Sequence, residues 1–194
     1  MRKKVLIILD IILVIAILIL LISAIIHFTK SDSVKFKEEY EALNKENVSI
    51  SISKDNPIKY IDINEVFDIL QNKTGVIYFG FPGCPWCRNM LPILFDVAHS
   101  NNVDTINYFN PREIRGNNNE DYSKLINILS EYLEENEEGK KVLYVPDVYF
   151  VKDGTIVGHH LGTVESQESP YEEMNIEQKQ ELTDIFNELF MLVK

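Results

Sequence analysis

Apolar residues crowd the start of the chain. Ile11 to Ile26 contains one residue that is not apolar, Ser23; Val5 to Leu9 extends the run upstream, and Asp10 is the sole charge inside it. As a helix, the 24 residues from Val5 to Phe28 would reach roughly 36 Å, enough to cross a bilayer's hydrocarbon core with some tilt. Secretory h-regions are shorter, and neither a small-x-small cleavage pattern nor a lipid-accepting Cys follows the run. Residues 1–28 therefore read as a cytoplasmic N-terminus and an uncleaved single-pass transmembrane anchor. Arg2, Lys3 and Lys4 precede the span, so the positive-inside tendency puts the N-terminus in the cytoplasm and everything after Phe28 outside the cell membrane.

From residue 29 to 56 the chain is polar, although Phe36, Tyr40 and Leu43 fall at helical spacing. This reads as an extracytoplasmic spacer with one short helix. Residues 57–194 then alternate between strand-like and helix-like patterns, as one domain would. Ile58 to Ile63 suits a strand, and Asp62 followed by Glu65 is a capping-box signature for a helix carrying Val66, Phe67, Ile69 and Leu70. Val76 to Phe81 reads as a buried strand, broken by Pro82-Gly83, and a helix opens at Pro85 and runs to about Ser100. Thr105 to Phe109 is a further strand, and Tyr122, Leu125, Ile126, Leu129 and Leu133 mark a helix. Asp147 to Lys152 and Thr155 to His160 flank Asp153-Gly154 as a hairpin, and a last helix starts near Ile176, capped by Asn175. The order implies an α/β fold with a central mixed sheet flanked by helices, preceded by the transmembrane helix.

Charge narrows the partners. Lys and Arg total 19 against 30 Asp and Glu, a net charge of −11. Without Arg2, Lys3, Lys4 and Asp10, 16 basic and 29 acidic residues remain, net −13. A nucleic-acid partner is excluded by that sign and by the lack of a basic stripe, and contact with the membrane is left to the N-terminal helix.

In an α/β fold, binding and catalytic groups gather in loops at the carboxyl ends of parallel strands, beside helix N-termini. The turn after Phe81 holds Cys84-Pro85-Trp86-Cys87, the only two cysteines of the chain. Across a helix's first turn this spacing brings two sulfurs within disulfide reach. At the helix start, unpaired N–H groups and the positive end of the dipole favour a Cys84 thiolate, the nucleophile. Cys87, one turn inward, would attack the mixed disulfide that Cys84 forms with a substrate and release the product. A bare CxxC also fits half a zinc site or an inert structural disulfide. The setting of a buried strand, turn and helix favours redox chemistry, and His159 and His160, adjacent in a strand, point to opposite faces and could hardly both join the pair as ligands. The expectation is therefore a centre needing no metal and no other cofactor. Trp86 suits either a substrate surface or loop packing. His159 and His160 read as strand residues, one inward and one wet, and the acidic stretch Glu131 to Glu138 reads as a solvated helix end.

The chain resembles the thioredoxin superfamily from about Ile58 to Leu189. The strand Val76 to Phe81 leads into Cys84-Pro85-Trp86-Cys87, Pro92 follows five residues after the second Cys, Val145-Pro146 precedes a strand, and Val151-Lys152-Asp153-Gly154 leads to Gly162. The resemblance implies a thioredoxin-like fold. It also implies a cis Pro146 facing the Cys pair, and a Val145 whose backbone pairs with an extended substrate, so that Trp86, Val145 and Pro146 bind substrate while Pro85 shapes the active-site loop. Two positions depart from the pattern. Gly83 replaces an aromatic residue, and Tyr78 stands where thioredoxins carry a buried acid; it reads as a core residue whose hydroxyl finds a partner.

More narrowly, the anchor, the Cys-Pro-aromatic-Cys centre and the tail Gly162-Thr163-Val164-Glu165-Ser166-Gln167 resemble membrane-anchored thioredoxin-like proteins grouped with the bacteriocin transport accessory proteins of Gram-positive bacteria. The resulting expectation is an anchored extracytoplasmic thiol-disulfide oxidoreductase. It would act on cysteine-containing proteins or peptides and exchange electrons with a redox partner protein. The alternative is a noncatalytic accessory protein for bacteriocin or peptide export that uses the same fold for binding.

Overall fold

The computed structural model describes residues 12–15, 17, 31–116 and 119–194. The chain divides into two units, Met1–Ser31 and Asp32–Lys194. Most of the anchor expected over Val5 to Phe28 lies outside the described residues. Residues 12–15 and 17 are helical, and among the described residues no helix is long and apolar enough to cross a membrane.

In the second unit the order is α1 (Asp32–Glu41), β1 (Ile58–Tyr60), α2 (Ile63–Asn72), β2 (Gly75–Phe79), α3 (Pro85–Ser100) and β3 (Ile106–Phe109). A 3-10 turn (Pro111–Glu113), α4 (Glu120–Leu129), β4 (Glu134–Glu135), β5 (Lys141–Val142), β6 (Asp147–Lys152), β7 (Thr155–Leu161) and α5 (Ile176–Leu192) follow. Five strands form one mixed sheet in the order β1-β3-β2-β6-β7. β1, β3 and β2 run parallel, while β6 is antiparallel to both β2 and β7. This is the mixed sheet flanked by helices that the alternation of elements predicts.

Side chains of a strand alternate between faces, and here the two faces feed two cores. Val76 and Tyr78 of β2, with Val148 and Phe150 of β6, join α1, α3 and α5. Ile77 and Phe79 of β2, with Tyr149 and Val151 of β6, join α2 and α4. The central strands are buried on both sides, which is why Val76 to Phe79 reads as an unbroken apolar run rather than an alternating one.

Local signals set the ends of the elements. Asp62 accepts from the Glu65 N–H, and the Glu65 carboxylate accepts from the Asp62 N–H, so a complete capping box opens α2. Asn175 and Gln178 do the same for α5. The β6–β7 hairpin turns at Asp153 and Gly154, with φ of 50° and 74°, a left-handed pair that glycine and Asp tolerate. Two readings differ from the structure. Leu133 is buried but lies beyond the end of α4. The acidic stretch Glu131 to Glu138 is no helix end: Glu134–Glu135 pairs with Lys141–Val142 in a small antiparallel ribbon.

The larger difference lies before β1. From Asp32 on, the segment expected to be a spacer belongs to the folded unit. α1 is too polar to signal a core helix, yet Phe36 and Tyr40 are fully buried, and Phe36 packs against the rings of Tyr40, Tyr78, Phe95 and Tyr108. Behind them, Ile50 and Ile52 are buried in the same core. Two aromatic side chains suffice because each buries a large area. Arg88 fastens the segment. It is 1% exposed and donates to the carbonyls of Tyr40 (2.7 Å), Pro82 (3.0 Å) and Val48 and to the Asn44 side-chain oxygen.

If α1 is part of the domain, Phe36→Ala should cost about 3–5 kcal/mol of unfolding free energy, the price of emptying a buried aromatic site. Urea denaturation followed by circular dichroism measures it. A free tether would lose well under about 1 kcal/mol.

Candidate functional site

β2 delivers the chain to the site. After Phe79 the segment Gly80-Phe81-Pro82-Gly83 turns, the Cys84 N–H donates to the Phe81 carbonyl at 3.1 Å, and α3 begins at Pro85. Pro85 occupies the first turn, where a missing N–H costs nothing and φ is already set for the helix. Cys84 is the cap residue. Its backbone is extended (φ −83°, ψ 114°), and its sulfur accepts from the Cys87 N–H at 3.2 Å. The sulfur thus takes the position a Ser or Asp oxygen usually holds at a helix start.

Both cysteines are free thiols. Hydrogen bonds from the Cys87 thiol, and then from the N–H groups of Cys87 and Trp86, hold Cys84 below the ordinary thiol range, against the opposing effect of burial. Cys87 goes the other way. Burial pushes its thiol well up, and the neighbouring Cys84 adds to the rise, while the Tyr78 hydroxyl and the Phe81 backbone counter it. The sulfurs also differ in access, as the helical spacing predicts: Cys84 is 4% exposed and Cys87 not at all. One sulfur is poised to carry charge and the other is kept neutral and hidden.

Of the other expected site residues, Val145 lies against Cys84, and Pro85 and Trp86 follow it in the first turn of α3. The Val145–Pro146 peptide bond is cis, as the family resemblance implies. The Cys84 thiol lies 3.7 Å from the Val145 carbonyl and points a donor at it. Trp86, Val145 and Pro146 line one groove of about 620 Å³, together with Tyr144, Gly162 and Thr163. Trp86 lines the groove and also packs on the core that α3 shares. Among the described residues, Glu165 and Glu181 are the charged side chains of the groove's lining, with no Lys or Arg beside them. Pro92 lies inside α3 and Gly83 is exposed at the turn.

The two histidines do point to opposite faces, and both are half-buried. His159 stacks on Tyr149 and meets the Asp147 carboxylate at 3.2 Å through Nδ1. His160 packs against Phe186, and its Nε2 lies 2.7 Å from the Thr163 carbonyl oxygen. Burial lowers the pKa of His160 and raises that of Asp147. Asp147 directly follows Pro146, so its contact with His159 ties the proline loop to β7. The buried Asp147 carboxylate is not legible as a site group in the sequence, because its contact with His159 depends on strand register, whereas the Val145 backbone is one that the family resemblance names.

No established sequence family matches the chain. Solved structures similar to it include thioredoxin O2 from Arabidopsis thaliana in its oxidized state, 15% identical, with a TM-score of 0.42 over 70% of this chain and 96% of that one. Another is thioredoxin f2 from Chlamydomonas reinhardtii, 16% identical, with a TM-score of 0.36 over 54% of this chain and 83% of that one.

Because the Cys84 pKa is lowered, its thiolate persists at pH values where an ordinary thiol, with a pKa of about 8.5, is protonated. Iodoacetamide should label Cys84 with a pH midpoint below that value and leave Cys87 unlabelled in the folded protein. Peptide mapping after timed labelling checks both points. Equal labelling of the two thiols, with an unshifted midpoint, would contradict this geometry.

Proposed function

We propose that the chain is a thioredoxin-like thiol-disulfide oxidoreductase, anchored in the cell membrane by its N-terminal apolar run and acting outside the cytoplasm on cysteine-containing proteins or peptides. The observation that carries the reading is the pairing of unequal thiols: a Cys84 sulfur that caps α3 with a lowered pKa, beside a fully buried Cys87 with a raised one. An inert structural disulfide needs no such difference.

In the reducing direction, the Cys84 thiolate attacks one sulfur of a substrate disulfide. A Cys84–substrate bond forms, the substrate S–S bond breaks, and the second substrate sulfur leaves as a thiolate that takes up a proton. Cys87 then loses its proton and attacks Cys84, making the Cys84–Cys87 bond and releasing the first substrate sulfur. The substrate is reduced by two electrons and the protein is oxidised by two, to be restored by a redox partner protein. The same steps run backwards oxidise a dithiol. The relative stabilities of the two disulfides set the direction, and no metal or nucleotide takes part.

The groove beside Val145 and Trp86 suits an extended segment flanking the reacting cysteine. Its charged lining residues, Glu165 and Glu181, and the net charge of −11 favour substrates with basic flanks. The N-terminal apolar run, the Cys-Pro-aromatic-Cys centre and the stretch from Gly162 to Gln167 favour a place beside a membrane exporter, with bacteriocin or peptide export as the narrower setting.

Cys87→Ala should accumulate mixed disulfides between Cys84 and its substrates, visible on non-reducing gels and by mass spectrometry, whereas Cys84→Ala should trap none and lower exchange to the background rate. Basic cysteine peptides should react faster than acidic ones, by a margin that shrinks with added salt. A noncatalytic export accessory would keep its function through both cysteine replacements, and that result would displace the enzymatic reading.

A further inference from the structure

Cys87 must lose its proton before it can attack, and its surroundings oppose that. It is fully buried among apolar side chains of α1, α3 and α5. The titratable and charged groups that face it are Cys84 and Arg88 from its own helix, Tyr78 from β2, Tyr40 from α1 and Tyr108 from β3. None of these is a carboxylate that could take the proton.

Tyr78 is placed with unusual care for a core residue. It is fully buried in the same core as Cys87, where each group shifts the titration of the other, and its hydroxyl lies 2.9 Å from that of Tyr40, also fully buried. Its ring occupies the space where a Cβ on Gly80 would stand, so the glycine leaves room for the phenol to reach toward the site. Tyr40 is in turn held from three sides. Phe36 stacks on its ring at 4.3 Å, Arg88 grips its carbonyl at 2.7 Å, and its hydroxyl meets Tyr78. Two hydroxyls thus meet inside the apolar core that also holds the sulfur that must become anionic.

We infer that Tyr78 is a catalytic residue of the resolving step, donating a hydrogen bond to the Cys87 thiolate, and that Tyr40 is a positioning residue that donates to the Tyr78 oxygen and thereby orients its proton toward the sulfur. The inference rests on the dithiol reading of the site. While Cys84 is free, its sulfur accepts from the Cys87 N–H at 3.2 Å and the two thiols shift each other's titration. Once Cys84 is joined to a substrate, the Tyr78 hydroxyl remains as a donor for Cys87. The proton Cys87 loses ends on the departing substrate sulfur, the Cys84–substrate bond breaks, and the Cys84–Cys87 bond forms, so no outside oxidant or reductant is needed. Both tyrosines stay protonated throughout, because burial raises their pKa well above the ordinary value. The helix α1 thereby becomes a part of the active site and not only of the core.

Stopped-flow reaction of the reduced full-length protein with an aromatic disulfide that releases a coloured thiol tests this. The first release reports attack by Cys84 and the second reports resolution by Cys87. Tyr78→Phe should slow the second release roughly ten- to hundred-fold and move its pH midpoint upward, with the first release unchanged. Tyr40→Phe, which keeps the Tyr78 hydroxyl, should do the same to a smaller extent, and its result stands even if Tyr78→Phe lowers stability. Circular dichroism melting checks that the variants fold. A second phase with an unmoved pH midpoint in the folded variants, or both phases slowed equally, would overturn the role of the tyrosine pair. Absence of the first release from the unmodified protein would instead overturn the dithiol reading beneath it.

Discussion

The Cys84 sulfur stands where α3 begins, and the chemistry of the molecule depends on the hydrogen bonds that meet it there. A helix leaves its first N–H groups unpaired, and a sulfur in the capping position satisfies them best when it is charged. The Cys87 thiol and the N–H groups of Cys87 and Trp86 all favour the thiolate. The surrounding fold serves to hold that sulfur in place. β2, buried on both faces, brings the chain to the turn, Pro85 starts the helix at once, and the Val145 carbonyl faces the sulfur from the loop before β6.

The second thiol is governed by the opposite condition. Cys87 lies one turn into α3, inside the core shared by α1, α3 and α5, where burial disfavours its charged form. Arg88, the next residue, is buried too, and its partners are neutral oxygens, three of them in residues 40–48 and the fourth in Pro82. A buried guanidinium is tolerated only when its donors are satisfied, so Arg88 couples the packing of the N-terminal segment to the active-site helix. Cys87, proposed to resolve the mixed disulfide, and Arg88, which fastens α1, are neighbours, and the tyrosines of α1 and β2 meet in the same core.

Much of this was legible in the sequence wherever the signal was local. The capping boxes at Asp62 and Asn175, Pro85 at a helix start, the apolar run of β2 and the Asp153-Gly154 turn each state a conformation within a few residues. The two cysteines follow from β2 and α3 directly. What escaped needs contacts far apart in the chain. α1 carries two buried aromatics among charged residues, so its periodicity is weak, and its role appears only when Phe36 and Tyr40 meet Tyr78. The Asp147–His159 contact depends on the β6–β7 register, and the ribbon of Glu134–Glu135 with Lys141–Val142 is too short to show a strand pattern.

The central claim is that Cys84 and Cys87 act as one reversible dithiol-disulfide couple. Its most direct test is to equilibrate the full-length protein in detergent with glutathione buffers of graded potential, quench with an alkylating mass tag, and weigh the intact chain. A functioning couple gives one two-electron transition between a doubly tagged and an untagged form, with no stable singly tagged species. Two thiols that stay tagged across the whole range, or that take up glutathione independently of each other, would contradict it.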